Sequence, residues 1–123
     1  MDSGTDPRSV VRGYHDAWTR GDFETAVGLL SPGLKVEAPV NDYPTTESFA
    51  GALAAFGGLA TRVALLSELY GEDEAMLLYD MDVQGLGTLR VAEHFTVAAG
   101  RITRIRQIHD TVAIRAAGFA QNG

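Results

Sequence analysis

The chain has 123 residues, 46% of them apolar and 21% charged, which is the size and composition of one globular domain and excludes both a second core and a disordered chain. There are 10 Lys and Arg against 16 Asp and Glu, a formal net charge of −6, and no basic cluster offsets it, so nucleic acid and anionic membranes are not expected partners. Cys is absent, which removes disulfides, thiolate nucleophiles and Cys metal sites and fits a reducing, cytoplasmic setting.

The start, Met1-Asp2-Ser3-Gly4-Thr5-Asp6, is neither basic nor apolar, so no signal peptide is expected, and no run approaches the roughly 18 apolar residues of a membrane span. Asp6-Pro7 predicts a helix start, with Asp as the cap and Pro in the first helical position. Val10, Val11, Tyr14, Ala17 and Trp18 then form one apolar stripe, which leaves His15 and Asp16 on the solvated side, and Gly21 ends the helix. Asp22 caps a second short helix carrying Phe23, Ala26, Val27, Leu29 and Leu30, stopped by Ser31-Pro32-Gly33. Residues 34–40 read as a short strand and Asn41-Asp42-Tyr43-Pro44 as a loop. A third helix is predicted from about Thr46 to Phe56, with Phe49, Leu53 and Phe56 on one face and Gly57-Gly58 at its end.

The period then changes. Residues 61–70, 75–83, 88–97 and 101–114 are rich in Val, Ile, Leu, Thr and Tyr and are joined by short polar or Gly-containing links, the pattern of consecutive antiparallel hairpins. The last residues, Ala120-Gln121-Asn122-Gly123, read as a loose end, and there is no internal repeat. The order predicts an α+β domain, 1–123, with a core over about 7–114 and its helices on one face of the sheet.

Three segments carry a resemblance: Tyr14-His15-Asp16-Ala17-Trp18-Thr19-Arg20-Gly21-Asp22-Phe23, then Val36-Glu37-Ala38-Pro39, then Glu93-His94-Phe95-Thr96-Val97-Ala98-Ala99-Gly100-Arg101-Ile102 running on to His109-Asp110. In this order they resemble the nuclear transport factor 2-like superfamily and, within it, the SnoaL-like group. The resemblance implies a cone-like α+β barrel, three N-terminal helices packed on a strongly curved, mainly antiparallel sheet, with a deep apolar pocket. That superfamily includes ketosteroid isomerases, polyketide cyclases, limonene-type epoxide hydrolases, scytalone-type dehydratases and non-catalytic binding proteins. Most pair through their sheets, so a homodimer is expected.

Strand alternation and the resemblance together nominate the site residues. Tyr14 has the spacing from Asp22 at which the isomerases place a donor to the developing enolate oxygen; alternatively it fills the helix stripe. Asp80 and Asp82 share one face of a strand. Asp82 keeps the acid of the epoxide hydrolases' Arg–Asp pair, while Asp80 replaces the Arg. Two carboxylates on an apolar wall would raise each other's pKa, as a general acid or base requires, whereas on a wet face they only solubilise. The alternate face, Tyr79, Met81 and Val83, reads as a core, as a dimer surface or as the seat of a heteromeric partner.

Glu93 matches the protonated Asp of the isomerases' oxyanion hole and alternates with Val91 and Phe95; a one-residue slip would turn His94 inward instead. Ile105, Gln107 and His109 fall five, seven and nine residues past Gly100, positions that line the pocket in both branches. His109 is expected to move the proton, paired with Glu93, or else to be a core histidine bonded to a carbonyl. Asp110 points to the other face and reads as structural. Trp18, Phe49, Phe56 and Phe95 are expected to line the cavity with Ala38. Two departures count against the known triads: Ala38 stands where the isomerases have their catalytic Asp, and Gln107 where the epoxide hydrolases have their second Asp. No phosphate-cradling loop, nucleophile elbow or helical metal-ligand spacing is present, so neither metal nor cofactor is expected. The expectation is a cofactor-independent enzyme performing a cyclisation, isomerisation or dehydration on a hydrophobic polyketide-, terpenoid- or steroid-like substrate. The alternative is a non-catalytic binding or partner module of the same fold.

Overall fold

A computed structural model describes residues 5–39, 42–112 and 116. Helix α1 spans Pro7–Thr19; the Asp6 carboxylate accepts the Ser9 amide at 2.8 Å, which satisfies one of the free donors of the first turn. Its apolar stripe is buried as expected, from Val10 to Trp18. Gly21 closes it with φ +85°, a left-handed conformation open to glycine at little cost. Asp22 caps α2, Phe23–Gly28, through the Thr25 amide. Helix α3, Thr46–Gly57, starts with a reciprocal capping box between Thr45 and Ser48.

Six strands follow the order β2-β1-β6-β5-β4-β3. They are β1 (Leu30–Glu37), β2 (Asp42–Tyr43), β3 (Ala60–Tyr70), β4 (Glu74–Val83), β5 (Gly87–Ala98) and β6 (Arg101–Ile108). Every neighbouring pair is antiparallel except β1–β6. The β5–β6 hairpin turns on Ala99 and Gly100, whose φ values of 52° and 76° are the pair that a type I′ turn needs. Register shifts leave an extra residue on β3 at Leu66, between Leu65 and Ser67, and on β6 at Thr103, opposite the Thr96–Val97 step of β5, and such irregularities bend a strand and raise its twist. The sheet therefore curves around the helices, but β2 and β3 remain its edges. It is a curved, open, mainly antiparallel sheet with the helices packed on it, the α+β arrangement expected.

Two boundaries differ from the sequence reading. Strand β1 begins at Leu30 and runs through Ser31-Pro32-Gly33, which were expected only to stop a helix. Its ladder to β6 breaks between Leu30 and Lys35, so Pro32 removes no needed donor. Asp42 and Tyr43, expected in a loop, pair with β1 because Tyr43 comes opposite Val36. Strand β6 stops at Ile108: residues 109–112, expected to continue it, are not strand, and 113–114, with the loose end at 120–123, lie outside the described residues.

Alternation decides what faces the helices. On β4 the inner set is Ala75, Leu77, Tyr79, Met81 and Val83, and on β5 it is Leu89, Val91, Glu93, Phe95 and Val97. Leu77 stands opposite Glu93, and Glu93 opposite Gln107. This register places the Glu93, Tyr79 and Gln107 side chains on one patch of the concave face, Tyr79 being a diagonal neighbour of Glu93.

Candidate functional site

Between the helices and the concave face lies a cavity of about 310 Å³, within the range of small-molecule sites. Helix α1 contributes Tyr14 and Trp18, α3 contributes Phe49, Leu53 and Phe56, and β4 contributes Tyr79 and Met81. Polar groups reach it from the sheet: Glu93, Gln107 and, just past β6, His109.

Glu93 is the chemical centre. It is 1% exposed, accepts the Tyr79 hydroxyl on Oε1 at 2.9 Å, and accepts the Gln107 amide on Oε2 at 2.7 Å. Burial raises its pKa above the usual carboxylate range, and the two hydrogen bonds oppose that shift by favouring the charged form. Tyr79 is buried and its phenol is pushed well above 10, first by burial and then by the Glu93 charge. Tyr14 is shifted the same way, by burial and then by Glu93. Its ring meets Phe95 edge-on at 5.9 Å. Its hydroxyl has no hydrogen-bond partner among the described residues, so the donor remains for whatever fills the cavity.

His15 is 3% exposed and packs against Trp18 and Tyr79, with ring centroids 5.6 and 5.0 Å away. Burial lowers its pKa to about 4. It was expected on the solvated side; the sheet wraps far enough round α1 to cover it, because the stripe at Val10, Val11, Tyr14 and Trp18 is wider than two helix positions.

Several candidates fall elsewhere. Asp80 and Asp82 lie on the outer face of β4, since Tyr79, Met81 and Val83 take the inner one. Asp80 forms a bidentate pair with Arg90, directly opposite, at 2.7 and 2.9 Å, and Asp82 accepts the Thr88 hydroxyl at 2.6 Å. Neither lines the cavity. The Tyr79, Met81 and Val83 face is buried beneath the helices, so it presents no partner surface. Phe95 and Ile105 are fully buried in the core behind the cavity wall rather than lining it. The expected His109–Glu93 pair does not form: Gln107 occupies the position opposite Glu93. His109 lines the cavity with its Nδ1–H donating to the Asp110 carbonyl at 3.0 Å. The register question closes in favour of Glu93. His94 faces outward and its Nε2–H donates to Glu74 at 2.7 Å. Ala38 lines the cavity and offers no side-chain proton acceptor.

Tyr79 and His15 escaped the sequence reading. Tyr79 was legible in the simple alternation of β4, apolar on one face and acidic on the other, which outweighs the likeness to the epoxide-hydrolase pair. No group of three or more His, Cys, Asp or Glu able to hold a metal ion occurs among the described residues. No described helix is long and apolar enough to cross a membrane.

The sequence model of the SnoaL-like domain matches residues 11–105. The chain belongs to this family. A crystal structure of a protein from Kribbella flavida DSM 17836 is similar, at 30% identity and TM-score 0.86 over 98% of each chain. An NTF2-like protein from Cytophaga hutchinsonii shares the fold at 16% identity and TM-score 0.81, over 94% of this chain and 99% of that one. A candidate polyketide cyclase from Sinorhizobium meliloti does so at 20% identity and TM-score 0.72, over 80% and 93%. A search of curated proteins returned no match. The SnoaL-like chain thus has the NTF2-like fold, a scaffold that carries cyclases and isomerases among its members and does not by itself specify a reaction.

Proposed function

We propose that this SnoaL-like protein is a cofactor-independent enzyme that moves a proton on a hydrophobic, oxygenated small molecule, with Glu93 as the base and Tyr14 as the donor to the substrate oxygen. The observation that carries the reading is a single carboxyl, buried, proton-hungry and held by two donors, in the same apolar cavity as an unpartnered phenol. Glu93 takes a proton from carbon beside a carbonyl; the charge that develops on oxygen is met by the Tyr14 hydroxyl; the Glu93 carboxyl returns the proton at the same or another carbon. Return at another carbon is an isomerisation, and capture of the enolate by a second carbonyl in the substrate is a cyclisation. His109, lining the same cavity, is a contact for polar substrate atoms in this scheme rather than the base.

The reading extends to assembly and place. Leu69, Met76 and Ile108, 67%, 39% and 69% exposed, are apolar groups on the outer face of the sheet that support pairing of two copies there, and the cysteine-free chain suits the cytoplasm. Light scattering tests the pairing: a mass of one protomer refutes it.

The test of the chemistry needs no known substrate. Exchange of the α-protons of 2-tetralone in D₂O, followed by NMR, is expected to exceed the buffer rate and to fall by about 10²–10⁴-fold in Glu93→Gln. Wild-type protein that binds 2-tetralone and exchanges nothing above buffer refutes catalysis of this kind and leaves a binding protein. That second reading is favoured by one observation, that both Glu93 oxygens already accept a protein hydrogen bond.

A further inference from the structure

Among the described residues Glu93 has no counter-charge. Each oxygen accepts one protein hydrogen bond, and a carboxylate oxygen can accept two. Among the described residues no Lys or Arg lines the cavity. Arg90, on the same strand as Glu93, and Arg106, on neighbouring β6, are engaged away from it, Arg90 with Asp80 and Arg106 with Glu37. The lining groups that can change charge are Glu93 itself, the phenols of Tyr14, Tyr43 and Tyr79, and His109, whose Nδ1 is directed to the Asp110 carbonyl. His15, packed behind Tyr79, is neutral down to about pH 4. The wall opposite the sheet is aromatic, with Trp18, Phe49 and Phe56. A carboxylate in a cavity shared with aromatic rings, with no described cation on its lining, is complementary to a small positive charge on an apolar body: the acid accepts N⁺–H, aromatic rings attract the cation, and the apolar walls take up the hydrocarbon.

We propose that the cavity also binds small hydrophobic ammonium ions, with the ammonium on Glu93 and the hydrocarbon among the aromatic rings. This goes beyond the proton-transfer reading and stands on the composition and charge of the lining alone. An ammonium ion needs Glu93 only as an anion, whereas the ketone chemistry needs it to take and return a proton, so either can fail without the other.

Trp18 is the single Trp of the chain and lines the cavity, so its fluorescence reports occupancy. The probes are cyclohexylmethylamine and its neutral isostere cyclohexylmethanol, titrated at mildly alkaline pH. The amine is expected to bind wild-type protein at least about tenfold more tightly than the alcohol. In Glu93→Gln that preference disappears. A second measurement does not depend on the variant folding: in thermal melts of wild-type protein, saturating amine raises Tm, and the rise shrinks as pH falls through the Glu93 titration, while the alcohol's effect does not change. The proposal is overturned if wild-type protein binds the alcohol as tightly as the amine, if neither probe binds, if Glu93→Gln keeps the preference, or if the amine's Tm shift ignores pH. Exchange of 2-tetralone without amine selectivity removes this proposal and spares the catalytic reading; the opposite pair of results does the reverse.

Discussion

Replacing Tyr79 by Phe deletes one oxygen and nothing else. That oxygen donates to Glu93 at 2.9 Å from a residue 3% exposed. While Glu93 is ionised the bond is charge-assisted, and its loss costs about 2 kcal/mol. For a domain of this size that is on the order of 8 °C in Tm. Once Glu93 is protonated the bond is a neutral one and the loss falls to about 1 kcal/mol, on the order of 4 °C. The sign follows from the Tyr79 bond favouring the charged form: Tyr79→Phe raises the Glu93 pKa further, so its destabilisation is small at low pH and grows as pH rises through the Glu93 titration. The assay is a pair of thermal melts, wild type and Tyr79→Phe, from about pH 4 to about pH 9. A double-mutant cycle with Glu93→Gln isolates the pair. The same variant should move the alkaline onset of 2-tetralone exchange upward, since the base titrates later. A Tyr79→Phe protein that melts with wild type at every pH, or whose loss is the same at both ends of the range, refutes the assignment of Tyr79 as the group that holds Glu93.

Tyr14→Phe separates positioning from stability: with no protein partner for the hydroxyl, the melt should stay within about 0.5 kcal/mol of wild type, while 2-tetralone exchange falls by about 10–10³-fold; equal exchange rates would remove Tyr14 from the mechanism. His15→Phe tests the buried imidazole. Its folded pKa of about 4 lies below its ordinary 6.5, so its neutral form stabilises the fold fully above 6.5, and that stability drains away as pH falls towards 4. The total is up to about 3 kcal/mol. Urea unfolding of wild type should weaken over that range more than that of His15→Phe, and parallel curves would contradict the burial. Asp82→Asn, on the outer face with Thr88, should leave the exchange rate and its pH profile unchanged; a lost or shifted profile would return Asp82 to the list of bases.

Much of this architecture was legible in the residues. Asp6-Pro7 and Asp22 announce two helix starts because the capping rule is local: a short oxygen-bearing side chain meets amides two or three positions on. The four hairpin strands were legible for a similar reason, since Gly-bearing links and β-branched runs act over a few residues. Glu93 was legible as an inward acid because alternation with Val91 and Phe95 fixes its face. Ala38, Trp18, Phe49, Phe56 and Gln107, expected at the pocket, line the cavity.

What the chain alone could not decide is which strand meets which, and at what offset. His109 and Gln107 both lie on the inward parity past Gly100, and only the β5–β6 register, Glu93 opposite Gln107, chose the amide as the partner of the acid and left the imidazole to a carbonyl. Whether Asp80 and Asp82 or Tyr79 and Met81 face the ligand depends on the side to which the helices pack, a property of the folded layers and not of the strand. His15 is charged or neutral according to how far a bent sheet wraps a helix, and that bend comes from register breaks in β3 and β6 that no local pattern announces. Local chemistry is written in neighbouring residues; the pairing of an acid with its donors is written in contacts between strands, and those exist only once the sheet has closed over the helices.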